Sequence, residues 1–214
     1  MEPTFHIIEN IHSANFRAAT DIYIQSFPAN ERQPLSVIEQ RVKDGLSLMF
    51  TAELENKTLA FGLLWPFQNS QFILLDYLAV APGYRQSKLG SALFRYMAKL
   101  VNDQGKTLVI ETEHPAYGDN REERQKRLAF YFKNGCYLLK DVPYILPPLD
   151  GSMPTEMCIM VHPPHGRHNF PPEEIKVLII RLYEELYGRD ENDAILQNFI
   201  HKLPTEITLS KSIS

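Results

Sequence analysis

The pattern of apolar and polar residues predicts a short edge strand at Phe5–Ile8, then two helices, and then further strands. Residues 13–26 space their apolar side chains as an amphipathic helix does, with Ser13 as its N-cap. A second helix is predicted over 35–44. Two strands follow at 47–54 and 58–66, and the short connection between them indicates a hairpin.

The most apolar part of the chain lies in its centre. Residues 71–80 are apolar almost throughout, as expected for a strand covered on both faces. Apolar side chains then recur at helical spacing from Leu89 to Leu100, Gly105 ends that helix, and residues 107–112 form the next buried strand. The β-α-β order predicts parallel neighbours and the hairpins antiparallel ones, so a mixed sheet flanked by helices is expected.

The last part of the sheet and an extension follow. A polar stretch leads into a short helix that closes at Gly135, and strands are expected at about 136–146 and 154–162. The segment HPPHGRHNFPP, residues 162–172, is rich in proline and histidine, which indicates an extended, exposed linker. Two further helices are predicted, one ending at Gly188 and one over 191–201.

These patterns predict one domain over residues 1–162 and a linker with a helical extension over 163–214. The sequence leaves open whether that extension completes an active site, forms a homodimer surface or caps the domain.

Composition narrows the classes of function. A net charge of −4 argues against general nucleic-acid binding, because such proteins usually carry a basic face. No apolar run approaches the roughly 20 residues that span a bilayer, and the N-terminus has no secretory pattern. We therefore expect a cytoplasmic protein that binds neither nucleic acid nor membrane. The two cysteines, Cys136 and Cys158, are expected to be buried thiols.

Three histidines, His162, His165 and His168, lie three residues apart in the linker. Prolines and a glycine between them prevent a helix from aligning the rings, and no cysteine or carboxylate pattern accompanies them. No metal is therefore expected.

The turn after strand 71–80 has a composition suited to anions. It contains Pro-Gly and then, immediately before a helix, Arg85, Gln86, Ser87 and Lys88. The first N–H groups of a helix lack partners inside the helix, and the helix dipole adds partial positive charge there. A phosphate or pyrophosphate suits such a position, although a solvated cationic surface is the alternative interpretation.

The stretch YLAVAPGYRQSKLGSALF, residues 77–94, resembles the acetyl-CoA motif of the GNAT superfamily of N-acetyltransferases. That motif is a strand ending in L-x-V-x-P-x-[YFHW]-[RQ], followed by [RQ]-x-x-G-x-[GA] at the start of a helix. Lys88 stands where the family usually has its first glycine. Six other positions fit the motif: Leu78, Val80, Pro82, Tyr84, Arg85 and Gly90.

Two further segments resemble the same family. RLAFYFKNGCYLL, residues 127–139, resembles the helix that ends the family core, with Tyr131 and Gly135 at its tyrosine and glycine positions. Residues 27–32 resemble an F-P-x-x-E-R segment found in one group of bacterial GNAT proteins. The resemblance covers roughly residues 5–162 and implies an α+β fold with a mixed, mostly antiparallel central sheet.

The resemblance also implies which residues bind acetyl-CoA, the expected co-substrate. Backbone groups at the end of the CoA strand would bind the pantetheine arm, and the turn amides would hold the pyrophosphate. The residues so assigned are Leu78, Ala79, Val80, Arg85, Gln86, Ser87, Lys88, Leu89, Gly90 and Ser91.

Catalysis needs a proton acceptor, because an amine near neutral pH is mostly ammonium and cannot attack until it loses a proton. Glu111 aligns with the position of the base in some family members, and Glu113 faces the same side of the strand. Tyr131 matches the residue that protonates the departing CoA thiolate. Each has a structural alternative: an exposed or ion-paired carboxylate, or a packed aromatic ring.

Four residues are expected to contact the acceptor amine. Phe27 and Glu31 lie in the segment that follows the first helix, where the family has its substrate loop. Asp76 lies on the CoA strand, and His114 follows the strand of Glu111. The cluster of carboxylates would attract a cationic acceptor.

The sequence thus predicts an acetyl-CoA-dependent N-acetyltransferase that transfers acetyl directly to a primary amine of a small molecule or peptide. The alternative is a catalytically weak acyl-CoA-binding module with a regulatory or interaction role, which Lys88 in place of glycine would favour. A scaffold that binds no CoA is a third and weaker alternative.

Overall fold

The computed structural model describes residues 2–28, 32–148 and 153–213. Glu31, one of the residues expected to contact the acceptor, lies outside these ranges. Contacts divide the chain into two compact units, Met1–Leu108 and Val109–Ser214. Across the described residues, no helix combines the length and the apolar content needed to cross a membrane.

The N-terminal unit is built on antiparallel strands in the order β1-β2-β3-β4. A fifth strand begins at its end. The elements are β1 (Thr4–Ile7), α1 (Ala14–Ser26), α2 (Leu35–Lys43), β2 (Leu48–Leu54), β3 (Lys57–Pro66), β4 (Phe72–Val80), α3 (Leu89–Asp103) and β5 (Thr107–Glu113), the last of which continues into the second unit.

The first helix confirms its prediction. The Ser13 side chain accepts a hydrogen bond from the Phe16 N–H at 3.1 Å, which satisfies one of the unpaired donors of the first turn. The apolar face of α1 is buried, and its Tyr23 ring packs edge-on against Phe61 of β3 with the ring centroids 6.0 Å apart. This contact fixes α1 on the sheet.

Strand β4 contains a bulge at Asp76. Leu63 of β3 faces Tyr77, whereas the next residue, Leu64, faces Leu75, so Asp76 is the extra residue. A bulge bends its strand and turns side chains toward new directions. It separates two regular stretches of the pairing with β3, the second of which, Tyr77–Val80, leads to the turn before α3.

Helix α3 packs tightly on the sheet of the N-terminal unit. A Cβ atom on Gly62 of β3 would lie 2.6 Å from the Met97 sulfur of α3, so glycine is what allows this approach. The buried face of α3 has the predicted apolar spacing and consists of Leu89, Leu93, Phe94, Met97, Ala98 and Val101.

In the C-terminal unit, β8 lies between β5 and β6, β9 lies at the edge beside β6, and β7 also pairs with β8. The pairs β6–β8, β6–β9 and β7–β8 are antiparallel. The elements after β5 are α4 (Arg121–Lys133), β6 (Tyr137–Leu139), β7 (Tyr144–Leu146), β8 (Thr155–His162), α5 (Pro172–Arg181), α6 (Ala194–Ile200) and β9 (Leu209–Ser210). A mixed α/β fold with a mostly antiparallel open sheet flanked by helices confirms the predicted fold class.

Helix α4 begins earlier than the sequence pattern predicted. The polar run that starts at Arg121 forms its first turns rather than a loop. Residues with good helix propensity fill this run, and Glu122 pairs with Lys126 one turn later at 2.7 Å. The charged residues of these turns lie on an exposed face, so the run shows only weak apolar periodicity. The sequence pattern therefore did not predict a helix there.

Two other predictions in the C-terminal unit were wrong. The single strand expected over 136–146 is interrupted after Leu139, where Asp141 adopts a left-handed conformation and Pro143 cannot donate to a strand ladder. The linker is not exposed throughout, because Phe170 is fully buried and the Arg167 guanidinium lies 4.5 Å from its ring centroid.

The extension over 163–214 belongs to the same compact unit as the residues from 109 onward. It contributes α5, α6 and strand β9, in which Ser210 pairs with Leu138. The structure thus shows what the extension contacts within this unit. The assignment of 1–162 as the acetyltransferase domain stays a prediction.

Two helices end in the same way, α3 at Gly105 and α4 at Gly135. Both glycines have positive φ, +70° and +96°. After each glycine the next N–H bonds to the carbonyl five residues earlier, at 3.2 Å for Lys106 and 3.0 Å for Cys136. This is the Schellman pattern, in which glycine accepts a left-handed conformation without strain.

The two glycines differ in the space around them, which gives a matched test. A Cβ atom at Gly105 would meet nothing within 4 Å, whereas one at Gly135 would lie 2.9 Å from His162 Nε2. We expect Gly105→Ala to lower the free energy of unfolding by roughly 1 kcal/mol, from the left-handed backbone alone. Gly135→Ala should cost more because the His162 ring must also shift. Equal losses in urea denaturation would contradict this account.

Candidate active site

The turn between β4 and α3 is exposed and closed by local hydrogen bonds. Pro82–Tyr84 form a single 3₁₀ turn, in which the Tyr84 N–H donates to the Ala81 carbonyl at 2.8 Å. The Ser87 N–H and hydroxyl both donate to the Tyr84 carbonyl, at 3.0 and 2.6 Å. The side chain of Ser87 therefore fixes the backbone immediately before the helix.

Lys88 adopts a left-handed conformation, with φ of 64° and ψ of 4°. Glycine takes this conformation readily, whereas another residue does so at a cost of roughly 1–2 kcal/mol. The lysine that replaces the glycine of the motif therefore has a glycine-like backbone. Its side chain is exposed at the start of α3.

The start of α3 presents backbone donors and cations together. Ala92 forms the first helical hydrogen bond, from its N–H to the Lys88 carbonyl at 3.0 Å. The N–H groups of Gly90 and Ser91 precede that bond, at the positive end of the helix dipole, and the Leu89 N–H donates to Ser87 Oγ at 3.4 Å. Arg85 and Gln86 are also exposed here. The donors, the dipole and the cations fit a phosphate or pyrophosphate group.

Gly90 brings the helix onto the end of β4. A Cβ atom at this position would lie 3.0 Å from the Val80 side chain. The residues expected to bind pantetheine, Leu78 to Val80, are thus directly adjacent to the turn. Their antiparallel register with β3 places Leu78 opposite Gly62.

The bulged residue Asp76 has a cationic partner. Its carboxylate lies 3.7 Å from an Arg41 guanidinium nitrogen, and both side chains are largely buried. Arg41 also lies over the Trp65 ring, 4.7 Å from its centroid. A partner supplied by α2 already balances this carboxylate, which weakens the expectation that Asp76 attracts an amine.

Phe27 belongs to an aromatic cluster with Tyr23 and Tyr77. Its ring centroid lies 5.7 Å from Tyr23 and 4.9 Å from Tyr77. Both phenols also anchor Gln33: Tyr23 donates to its carbonyl at 2.9 Å, and Tyr77 accepts its N–H at 3.2 Å. Phe27 is thus partly a packing residue, at the start of the segment that contains Glu31.

In the C-terminal unit, two phenols donate hydrogen bonds to the Glu111 carboxylate. Tyr187 donates to Oε2 at 2.8 Å, and Tyr144 donates to Oε1. Burial raises the pKa of the Glu111 carboxyl above its ordinary value, and the two donors partly offset that rise. A carboxylate with raised proton affinity is suited to accept a proton near neutral pH.

Glu113 has a different environment from Glu111, although it lies only two residues away. Arg124 and Arg127 both pair with it, at 2.9 and 2.8 Å. Two guanidinium groups from α4 thus hold this carboxylate. The arrangement favours the ion-paired interpretation of Glu113 over that of a base.

His114 is engaged in the loop that follows β5. Its Nδ1 accepts the Ala116 N–H at 3.1 Å, and its backbone N–H donates to the Glu156 carbonyl at 2.9 Å. Burial lowers the pKa of the His114 imidazole, which favours its neutral form. Its ring packs edge-on with Tyr117.

Tyr131 is buried on α4, beside Phe130. Burial raises the pKa of its phenol, so the hydroxyl keeps its proton at neutral pH. A protonated phenol is the form that can donate to a thiolate. The protonation state of Tyr131 is therefore the one that the role implied by the sequence motif requires.

Comparison with known proteins identifies the family of this chain. The model of the acetyltransferase (GNAT) family matches residues 13–123, which is more than half of the chain. This chain belongs to the GNAT family. It matches none of the curated proteins with which it was compared.

Solved structures share the fold of this GNAT chain. A protein from Bacteroides thetaiotaomicron assigned to the GNAT family aligns with a TM-score of 0.71 and 21% identity, over 86% of this chain and 98% of its own. The ribosomal-protein-S18-alanine N-acetyltransferase of Escherichia coli gives 0.53 and 20%, over 78% and 99%. A phosphinothricin acetyltransferase of Sinorhizobium meliloti in complex with AcCoA gives 0.56 and 15%, over 76% and 89%.

The sequence did not reveal the partners of the candidate catalytic groups. Tyr187 lies 76 positions after Glu111, and no spacing rule connects them. One signal in the sequence could have indicated them, since tyrosines recur on the apolar face of the helix that ends at Gly188. A buried tyrosine hydroxyl needs a hydrogen-bond partner. The arginines that hold Glu113 lie in the polar stretch before the predicted helix, and no spacing rule connects them to Glu113.

Within the ranges that the structure covers, no group of three or more His, Cys, Asp or Glu side chains is arranged to hold a metal ion. The first linker histidine, His162, instead packs against Gly135.

The two cysteines of this GNAT chain are buried, and burial raises the pKa of both the Cys136 and the Cys158 thiols to about 12. Because only the thiolate reacts, we expect neither to be modified by a disulfide reagent at pH 8 in the native protein. Both should react after denaturation. Rapid native modification that abolishes activity would instead favour a covalent acetyl-cysteine route.

Proposed function

We propose that this chain is an acetyl-CoA-dependent N-acetyltransferase that acts on a primary amine of a small molecule or peptide. The observation that carries the proposal is the exposed turn in which Lys88 has a glycine-like backbone at the start of α3. A family relative that binds AcCoA supports the same choice of co-substrate.

In this proposal the turn holds the pyrophosphate of CoA. The N–H groups at the start of α3 donate to the phosphate oxygens, and Arg85 and Lys88 add positive charge. Gln86, Ser87, Leu89 and Ser91 complete the turn. The backbone from Leu78 to Val80 binds the pantetheine arm.

Glu111 is the proposed proton acceptor. It removes a proton from the ammonium, directly or through water, and the free amine then attacks the acetyl carbonyl. A C–N bond forms, the C–S bond breaks, and the CoA thiolate takes a proton from Tyr131. The attacking nitrogen releases its second proton as the amide forms, and water carries that proton to the Tyr131 phenolate. The acetyl group passes directly to the amine in a ternary complex, without an acetyl-enzyme.

Glu113 is the second candidate for the base. Its two arginine partners already balance its charge, so we prefer Glu111 for this role. The two ion pairs instead suit Glu113 to a structural role, in which it holds α4 beside the end of β5 in the C-terminal unit.

The acceptor is proposed to contact Phe27, Glu31, Asp76 and His114. The F-P-x-x-E-R segment at residues 27–32 would group the chain with the bacterial proteins that share it. Glu31 would favour a cationic acceptor, whereas Arg41 already balances the charge of Asp76.

A catalytically weak acyl-CoA-binding module was the alternative function, and Lys88 in place of glycine was its main support. The left-handed conformation of Lys88 removes that support, since the turn forms with lysine as it would with glycine. The N-acetyltransferase is therefore the function that we propose.

Calorimetric titration with acetyl-CoA tests the cofactor site. Lys88→Gly keeps the left-handed turn and removes one exposed charge, so we expect affinity to fall only about two- to fivefold. Arg85→Glu with Lys88→Glu should abolish measurable binding, because the turn then repels the pyrophosphate. Lys99→Glu is the matched control, since it reverses an exposed charge far along the same helix. Equal weakening by the control would place CoA elsewhere.

Turnover separates an enzyme from a binding module. With a panel of primary amines that includes peptides and polyamines, Glu111→Gln should lower kcat by about a hundredfold or more, as expected for loss of a general base. Tyr131→Phe should also lower kcat. Neither change should alter acetyl-CoA affinity. Tight binding of acetyl-CoA without transfer to any amine of the panel would favour the module instead.

A further inference from the structure

The C-terminal extension supplies one of the two phenols that contact Glu111. Tyr187 follows α5 and donates to Oε2 at 2.8 Å, while Tyr144 of β7 donates to Oε1. Each carboxylate oxygen therefore accepts one donor and retains a lone pair for a proton. Two donors on different oxygens fix the plane of the carboxylate.

The backbone around Tyr187 is shaped to hold it in place. Helix α5 widens into a π turn over Leu182–Leu186, immediately before Tyr187. Gly188 then ends the helix with φ of +60°, and the Arg189 N–H bonds to the Tyr183 carbonyl at 2.9 Å. Short π segments are often found at functional sites. Here the segment leads directly into the residue that reaches Glu111.

An aromatic cluster joins the extension to the two phenols. Tyr183 is fully buried and donates from its hydroxyl to the Ile145 carbonyl of β7. Its ring centroid lies 6.2 Å from Tyr187, 6.5 Å from Tyr144 and 6.1 Å from Phe199 of α6. These rings have little freedom to move the donors away from the carboxylate.

The surroundings of Glu111 in this unit are phenolic rather than cationic. Tyr144 faces it from β7, and Tyr183 and Tyr187 face it from the end of the α5 helix. Within the described part of the unit, no arginine, lysine or histidine pairs with it. Burial raises the pKa of Tyr144, so this phenol stays a hydrogen-bond donor.

We propose that Tyr187 and Tyr144 are positioning residues that orient the Glu111 carboxylate as a proton acceptor, so that the C-terminal extension completes the active site. This inference rests on the proposed function for the role of Glu111, but its geometric part can be tested without a substrate. The extension is then neither a simple cap nor only a dimer surface.

The expected effect has a definite sign. Hydrogen bonds to a carboxylate favour its charged form, so removing a phenol hydroxyl raises the pKa of the carboxyl. A base must be deprotonated to act, and the acidic limb of the kcat/KM profile therefore moves to higher pH. One hydrogen bond to a charged group corresponds to a shift of about one pH unit.

The test is a carbon-13 NMR titration of protein labelled at the glutamate carboxyl carbons, with Glu111 assigned from the signal that Glu111→Gln removes. Tyr187→Phe should raise the Glu111 pKa by about one unit. Tyr183→Phe is the matched control, because it removes a buried hydroxyl from the same cluster that bonds to Ile145 instead. It should leave the titration of Glu111 nearly unchanged.

Equal titration curves for wild type and Tyr187→Phe would overturn the proposal, as would an equal shift in the control. The titration needs no turnover, so it is independent of the amine panel. If the pKa moves but acetyl transfer is absent with every amine, the proposed function fails while the positioning of Glu111 stands. With an active amine, the acidic limb for Tyr187→Phe should move by the same amount as the NMR titration.

Discussion

The close approach of α3 to the end of β4 is the constraint on which the proposed cofactor site depends. Gly90 permits it against Val80, and Gly62 permits the packing of Met97 farther along the same helix. Because α3 lies so close to β4, the chain reverses its direction within a short turn. Lys88 in that turn adopts a left-handed conformation. The backbone donors of the first helical turn then lie together with exposed cations.

A second constraint acts on the carboxylate of Glu111. A buried carboxylate is costly unless donors satisfy it, and here the donors are two phenols rather than a cation. Phenols stabilise the charged form less than a guanidinium does, which leaves the proton affinity raised. Glu113 has cationic partners instead, since two arginines hold it. The two carboxylates lie on one strand but have different partners, which are phenols for Glu111 and guanidinium groups for Glu113.

The sequence predicted the fold, and it located the turn that we propose for CoA, because both depend on local patterns. Apolar periodicity located α1 and α3, and the Pro-Gly turn with its cations marked the site at residues 82–90. Prediction from the sequence failed where contacts between residues far apart in the chain determine the structure. The start of α4 was missed because charge pairs replace an apolar face, and the partners of Glu111 come from segments far away in the chain. The glycine-like backbone of Lys88 was also hidden, since residue identity there suggests the opposite.

The most direct test of the central claim is an amide NMR titration of the labelled protein with acetyl-CoA. If the turn binds the pyrophosphate, the largest shifts in amide resonance should fall on Arg85 to Ser91, where the helix begins. Smaller shifts should fall on the end of β4, at Leu78 to Val80. Saturable shifts confined to other parts of the chain, with the turn amides unmoved, would contradict the account.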